Sequence, residues 1–263
     1  EEANLEVVAE KFAAAKEVKR VQYSTALARP QVRAVPVSES VATRADGDMP
    51  FNDPMLELQW HYDNQGLKSL FPGSVKGEDI NAFAAWKHET GNRDVIVAVV
   101  DEGVKYNHPD LEANMWVNQA EADGAKGVDD DGNGYVDDIY GYNFVDNGRI
   151  TWTRRGDSGH GTHVAGTVAA VNNNGIGVAG IAGGSGNGDG IRMISCQIIS
   201  GGTAAGVSAT AAAIEYAADN GAVLANNSWG YEPGLYASDN EFVRWDSEIK
   251  NAIDYFEANA KLE

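Results

Sequence analysis

Six consecutive apolar residues, Val95-Ile-Val-Ala-Val-Val100, stand between Asp94 and Asp101. The run does not alternate with polar residues, so it predicts a strand covered on both faces, and it is far shorter than the roughly 20 residues that a bilayer-spanning helix needs. Strands of that kind belong to parallel sheets, whose neighbours are joined by helical crossovers. The rest of the chain fits: a small-residue helix is predicted over 160–171, a strand over 192–199 and an Ala-rich helix over 203–220 that ends at Gly221. A third strand follows over 222–227 and an amphipathic helix over 240–260. The expected fold is α/β, a mostly parallel sheet flanked by helices. Functional groups in such a sheet collect at the C-terminal ends of strands, where Asp101 sits.

The charge narrows the partners. The 263 residues hold 39 acidic and 20 basic side chains, a formal net charge of −19. That excludes nucleic acid, because no basic surface is available to displace phosphate counterions. A hydrophobic content of 43% with six Trp and ten Tyr excludes a disordered acidic tail. The single Cys196 excludes an internal disulfide framework and a cysteine-built metal site. The acid is unevenly placed: residues 1–48 hold eight acids and seven bases, whereas residues 121–140 hold seven acids and one base. That density points to a cation site.

Residues 5–20 predict a helix with Leu5, Val8, Phe12 and Ala15 on one face, and residues 24–48, rich in Ala, Val, Ser and Pro, read as a linker. A denser pattern begins near Pro50. No charged-then-apolar signal segment opens the sequence, and Leu262-Glu263 reads as an engineered end.

Three features carry candidate chemistry. Asp101 ends the first strand, His160 opens a helix in Gly159-His-Gly-Thr-His-Val-Ala-Gly-Thr167, and Asn226-Asn-Ser-Trp-Gly230 leaves the third strand. A carboxylate at a strand end beside a histidine at a helix start suits an Asp–His couple, in which the acid fixes the imidazole tautomer and stabilises the imidazolium. His160 and His163 lack a third ligand at a spacing suited to zinc, so His163 reads as a structural partner. In Asp129-Asp-Asp-Gly-Asn-Gly-Tyr-Val-Asp137, oxygen donors fall at alternate positions with Gly at the sixth. This is the first part of an EF-hand-type loop using Asp129, Asp131, Asn133, the Tyr135 carbonyl and Asp137. Tyr140 stands where the twelfth-position Glu would be, so a complete EF-hand is not expected. Hard oxygen donors favour calcium. The Gly-rich stretch 184–190 precedes a strand instead of following one, and reads as a surface connection, not a phosphate loop.

Taken together, Asp101-x-Gly103, the His160 octapeptide, Asn226-Asn-Ser-Trp-Gly230, Asn107-His-Pro-Asp-Leu111, Gly175-Ile-Gly-Val-Ala-Gly180 and Ala213-Ile-Glu-Tyr-Ala217 resemble the subtilisin-like serine proteases, the subtilases, in family order from about residue 50 onward. The resemblance implies an Asp–His–Ser triad in which Asp101 orients His160, and His160 acts as general base and then general acid. It implies that Ser228, Trp229 and Gly230 align substrate backbone opposite Thr203-Ala-Ala205, which is recognition by strand addition. It implies a second structural calcium held by Asp110 and by Asn173 or Asn174, and a secreted or cell-surface or periplasmic location. Residues 1–48 correspond to a pro-segment remnant and linker, and 49–263 to a partial catalytic domain.

Two departures from the family pattern stand out. Position 102 is Glu where the family usually has Ser or Thr, and its charge is expected to raise the pKa of Asp101 and disturb the couple. No Gly-Thr-Ser-Met-Ala type nucleophile segment occurs, and Ser158, Ser208 and Ser228 do not match one. The chain is therefore expected to be truncated before the nucleophile, inactive alone, and prone to self-association through the interrupted sheet edge. A non-catalytic peptide-binding module is the alternative, and a calcium-dependent scaffold accounts for the acidic loop but not for the His160 segment.

Overall fold

The computed structural model describes residues 49–68, 72–231, 236 and 238–260. The helix expected over 5–20 and the linker over 24–48 lie outside them.

The elements in chain order are α1 (Ala82–Ala85), β1 (Ile96–Glu102), α2 (Gln119–Asp123), β2 (Gly141–Asn143), α3 (His160–Ala169), β3 (Arg192–Ser200), β4 (Thr203–Ala204), α4 (Val207–Asp219), β5 (Leu224–Asn227), α5 (Asp239–Trp245) and α6 (Ser247–Asn259). The sheet runs β2-β3-β1-β5 with every neighbour parallel, and β4 folds back antiparallel onto the end of β3.

Every residue of β1 is buried, and the two faces meet different layers. Ile96, Ala98 and Val100 join Ile194, Cys196 and Ile198 against Ala213, Tyr216 and Ala217 of α4. Val97 and Val99 join Met193 against Ala165 and Ala169 of α3. Two covered faces favour apolar side chains at every position, which is why the run from Val95 to Val100 is unbroken. The Ala-rich faces of α3 and α4 let both helices lie close on the sheet, and α6 then covers α4 through Ile249 and Ala252.

Several boundaries differ from the expected ones: the helix opening at His160 ends at Ala169, the strand expected from 222 begins at Leu224, and three further differences have a clear cause. Thr203 and Ala204 pair with Ser200 and Ile199 as a strand, so α4 starts only at Val207. The helix expected over 240–260 breaks at Asp246, whose φ of −120° and ψ of 44° are not helical and whose carboxylate accepts from the Tyr236 hydroxyl. β1 continues beyond the apolar run through Asp101 and Glu102, because partners on β3 remain available: Asp101 lies opposite Gln197, and after a one-residue register slip Glu102 lies opposite Ile199.

Candidate active site

Asp101 and His160 meet where the C-terminal end of β1 abuts the N-terminus of α3. Nδ1 of His160 stands 2.7 Å from Oδ1 and 2.9 Å from Oδ2 of Asp101. Asp101 is 1% exposed, and its Oδ1 also accepts the Glu102 backbone N–H at 2.6 Å. Burial pushes the Asp101 carboxyl above its ordinary value, and the bonds from His160 and from the Glu102 backbone pull it back. With the proton on Nδ1, Nε2 is left as an acceptor, and 13% of the His160 side chain is exposed. The arrangement can take a proton at Nε2 and stabilise the resulting charge from Nδ1.

The Glu102 charge raises the Asp101 carboxyl, as expected from its sign, and the contact with His160 is kept. That charge is the smallest of the named influences on Asp101. The Glu102 carboxylate turns to the approach loop of α3, accepting from the Ser158 backbone N–H and hydroxyl, each at 3.1 Å, and from the His160 backbone N–H at 3.0 Å. Gly161 is required at the next position: a Cβ there would stand 2.0 Å from the Glu102 carbonyl oxygen.

The parallel register sets the other groove residues at the same end of the sheet. Asn227 lies opposite Val100, so Ser228, Trp229 and Gly230 leave β5 level with Asp101. Asn226 Nδ2 donates to the Ser228 hydroxyl oxygen at 2.8 Å, and Trp229 Nε1 donates to Asn227 Oδ1 at 3.1 Å, which shapes this exit. His163 faces a cavity of about 490 Å³ lined also by Met55, Gln59, His61, His108 and Gly166. Burial, with His163 adding, holds His61 below its ordinary pKa.

The acidic loop is built around a residue that the sequence reading missed. Glu121 of α2, 3% exposed, accepts the backbone N–H of Asp130 at 2.5 Å and of Asp137 at 2.8 Å. Carboxylate oxygens of Glu121, Asp129 and Asp131 lie within 4.8 Å of one another. Asp129 is held by the backbone N–H groups of Gly132, Asn133 and Gly134. Asn133 donates to Asp131 and Asp138 and accepts the Tyr135 N–H. Asp137, at φ 57°, turns its carboxylate to the Gly127 N–H and to Arg149. Glu121 precedes the alternating motif by eight residues, and only its place in the dense acidic stretch could have drawn attention to it.

At Asp110, Asn174 Nδ2 donates to Oδ1 at 2.8 Å and the Val178 N–H to Oδ2 at 3.1 Å. Asn173 instead turns to Asn52 and Ser185. Asp53 lies close by. Its Oδ2 accepts the Asn173 N–H at 2.8 Å, while its buried Oδ1 has no partner. Burial raises the carboxyls of both Asp53 and Asp110, and the charge of Asp110 adds to the rise at Asp53.

The class defined here is an α/β protein with a parallel sheet, helices on both faces and an Asp–His couple at the sheet's C-terminal edge. The subtilase family profile matches residues 92–261, and the chain belongs to this family of serine proteases. It is 34% identical over 200 residues to subtilisin-like protease 1 of Plasmodium falciparum, covering 75% of this chain and 26% of that protein. It is 34% identical over 193 residues to the halolysin-like extracellular serine protease Nep of Natrialba magadii, covering 73% and 28%. Among solved structures, the Aeromonas sobria serine protease, crystallised with its chaperone, shares the fold at a TM-score of 0.55 and 23% identity, over 80% of this chain and 30% of that one. The match thus spans between a quarter and a third of each of these proteins.

Proposed function

We propose that this chain is the Asp- and His-bearing part of a secreted serine endopeptidase acting on protein substrates. The 2.7 Å contact between His160 Nδ1 and Asp101 Oδ1 carries the reading. Asp101 holds the imidazole with Nε2 toward the groove. His160 takes the proton of a serine hydroxyl as that oxygen attacks the scissile carbonyl, and returns it to the leaving amine. Ser228, Trp229 and Gly230 on one side and Thr203-Ala-Ala205 on the other align the substrate as an added strand. The 263 residues hold no Gly-Thr-Ser-Met-Ala segment, so this polypeptide alone is expected to leave an unstructured protein uncut. Cleavage that disappears in His160→Ala would refute that expectation.

Two structural calcium sites accompany the fold. Glu121, Asp129 and Asp131 supply three carboxylate oxygens to one, and Asp110, Asn174 and Asp53 supply oxygens to the other; hard donors of this kind suit calcium. The unpartnered buried Oδ1 of Asp53 supports the second, since a buried carboxylate oxygen needs a donor or a cation. Bound calcium would neutralise carboxylates that otherwise repel one another. The secreted location rests on the extracellular relative, and among the described residues no helix is long and apolar enough to cross a membrane.

β5 stands at one end of the sheet order with Leu224 58% exposed, which favours pairing of two copies edge to edge. A monomeric sedimentation profile at high concentration would overturn that pairing.

A further inference from the structure

We propose that Glu102 is the positioning residue of the Asp101–His160 couple: its carboxylate holds the N-terminus of α3 and so sets the imidazole against Asp101. The inference rests on reading that couple as the orienting acid and general base of a protease.

Three observations converge. First, α3 begins without a cap of its own. Its N-cap is Gly159, in the left-handed region at φ 77°, and makes no side-chain cap bond. The first N–H groups of a helix need acceptors. Glu102, 58 residues upstream, accepts the His160 N–H at 3.0 Å and the Ser158 N–H and hydroxyl, each at 3.1 Å. A carboxylate there also meets the positive end of the helix dipole.

Second, the sheet is irregular where these two residues leave it. Neighbouring residues of a regular strand point to opposite faces. Asp101 follows Val97 and Val99 on the α3 side, so Glu102 should point toward α4. At this point the pairing with β3 slips by one residue, Ile198 being the extra one, and both carboxylates reach α3, one at the ring of His160 and one at its backbone. Such irregularities re-aim side chains beside active sites.

Third, ring and backbone of His160 are gripped by adjacent residues of one strand. The Glu102 backbone N–H bonds Asp101 Oδ1, and the close approach of Gly161 to the Glu102 carbonyl locks the helix against the same peptide. Glu102 is 1% exposed, so water cannot replace its carboxylate without a rearrangement. The position that supplies a hydroxyl to the acid in the usual family pattern here supplies an acceptor to the helix that carries the base.

The test uses the 263-residue chain and does not depend on proteolysis. The proton on His160 Nδ1, shared with Asp101, should give a low-field resonance, identified by its loss in Asp101→Asn. Glu102→Ala should lose that resonance, and so should Glu102→Asp, which keeps the charge but withdraws it by one methylene. Glu102→Gln should keep it, because the amide oxygen can take the place of Oε2. A resonance unchanged in folded Glu102→Ala or Glu102→Asp overturns the proposal while leaving the couple intact. Failure of all three variants to fold also overturns it, since the role is then structural only. Absence of the resonance from the unsubstituted chain removes the couple itself, and this role with it.

Discussion

The hydroxyl of Tyr216 donates to Oδ2 of Asp138 at 2.7 Å, joining the acidic loop to the core helix α4 across 78 residues of sequence. Asp138 is fully buried and also accepts from Asn118 and from Asn133, which in turn donates to Asp131. Burial raises the carboxyl of Asp138, and the Tyr216 bond opposes the rise. Tyr216→Phe removes one donor from a buried acid and should destabilise the fold by about 1–3 kcal/mol. Because Asp138 and Asp131 share Asn133, the same substitution should weaken calcium binding at the loop. Urea unfolding with and without calcium measures both effects. Unchanged stability would mean that water replaces the hydroxyl.

Chelation tests the two proposed cation sites together, and substitutions separate them. A ligand at 100 times its Kd stabilises the native state by about 2.7 kcal/mol, so saturating EDTA should lower the melting temperature by several degrees. Glu121→Gln should abolish binding at the loop alone, and Asp53→Asn binding at the Asp110 site alone, each reducing the calorimetric stoichiometry from two to one. Two calcium ions still bound by either variant would remove that residue from its site.

Asp101 carries a pH signature. Its carboxyl is held above the ordinary value, chiefly by burial, so the folded chain keeps this proton more tightly than the unfolded chain. Its stabilising contribution is complete below the unfolded value of about 3.9 and is lost as pH rises through the higher folded value. Asp101→Asn removes the cost of the buried charge at neutral pH. The variant should therefore melt at an equal or higher temperature than the unsubstituted chain at pH 7, and the difference should shrink as pH falls toward 4. A difference that grows on acidification would contradict the assignment.

The strand that carries Asp101 near its end and the helix opening at His160 were legible because local signals suffice for them: an unbroken apolar run and a small-residue helix behind glycines. The couple followed from those two ends meeting. What the sequence hid depends on contacts between distant segments. Glu102 was legible as a charge that raises Asp101, but not as an acceptor for the α3 backbone, which depends on how the loop before α3 lies on β1. Glu121 lies outside the alternating acidic motif and reaches it only through the fold. Asp53 stands far from Asp110 in sequence, and its unpartnered oxygen is visible only once the 173–178 loop lies between them. The break at Asp246 was hidden by an amphipathic period that runs through it.

Two glycines of the same helix should respond oppositely to alanine. A Cβ on Gly161 would stand 2.0 Å from the Glu102 carbonyl oxygen and 2.8 Å from its carbonyl carbon, both backbone atoms that cannot turn aside. Gly161→Ala must push α3 off the end of β1, at a cost of about 1–3 kcal/mol, and should carry His160 away from Asp101. A Cβ on Gly166 meets nothing within 4 Å, because that residue lines the cavity beside His163. Gly166→Ala gains helix propensity of about 0.5–1 kcal/mol without a clash. Thermal melts should place Gly161→Ala below and Gly166→Ala at or above the unsubstituted chain, and the low-field His160 proton should survive only in the second. If both substitutions lower the melting temperature alike, the tight seat of α3 on Glu102 is not what orients the histidine.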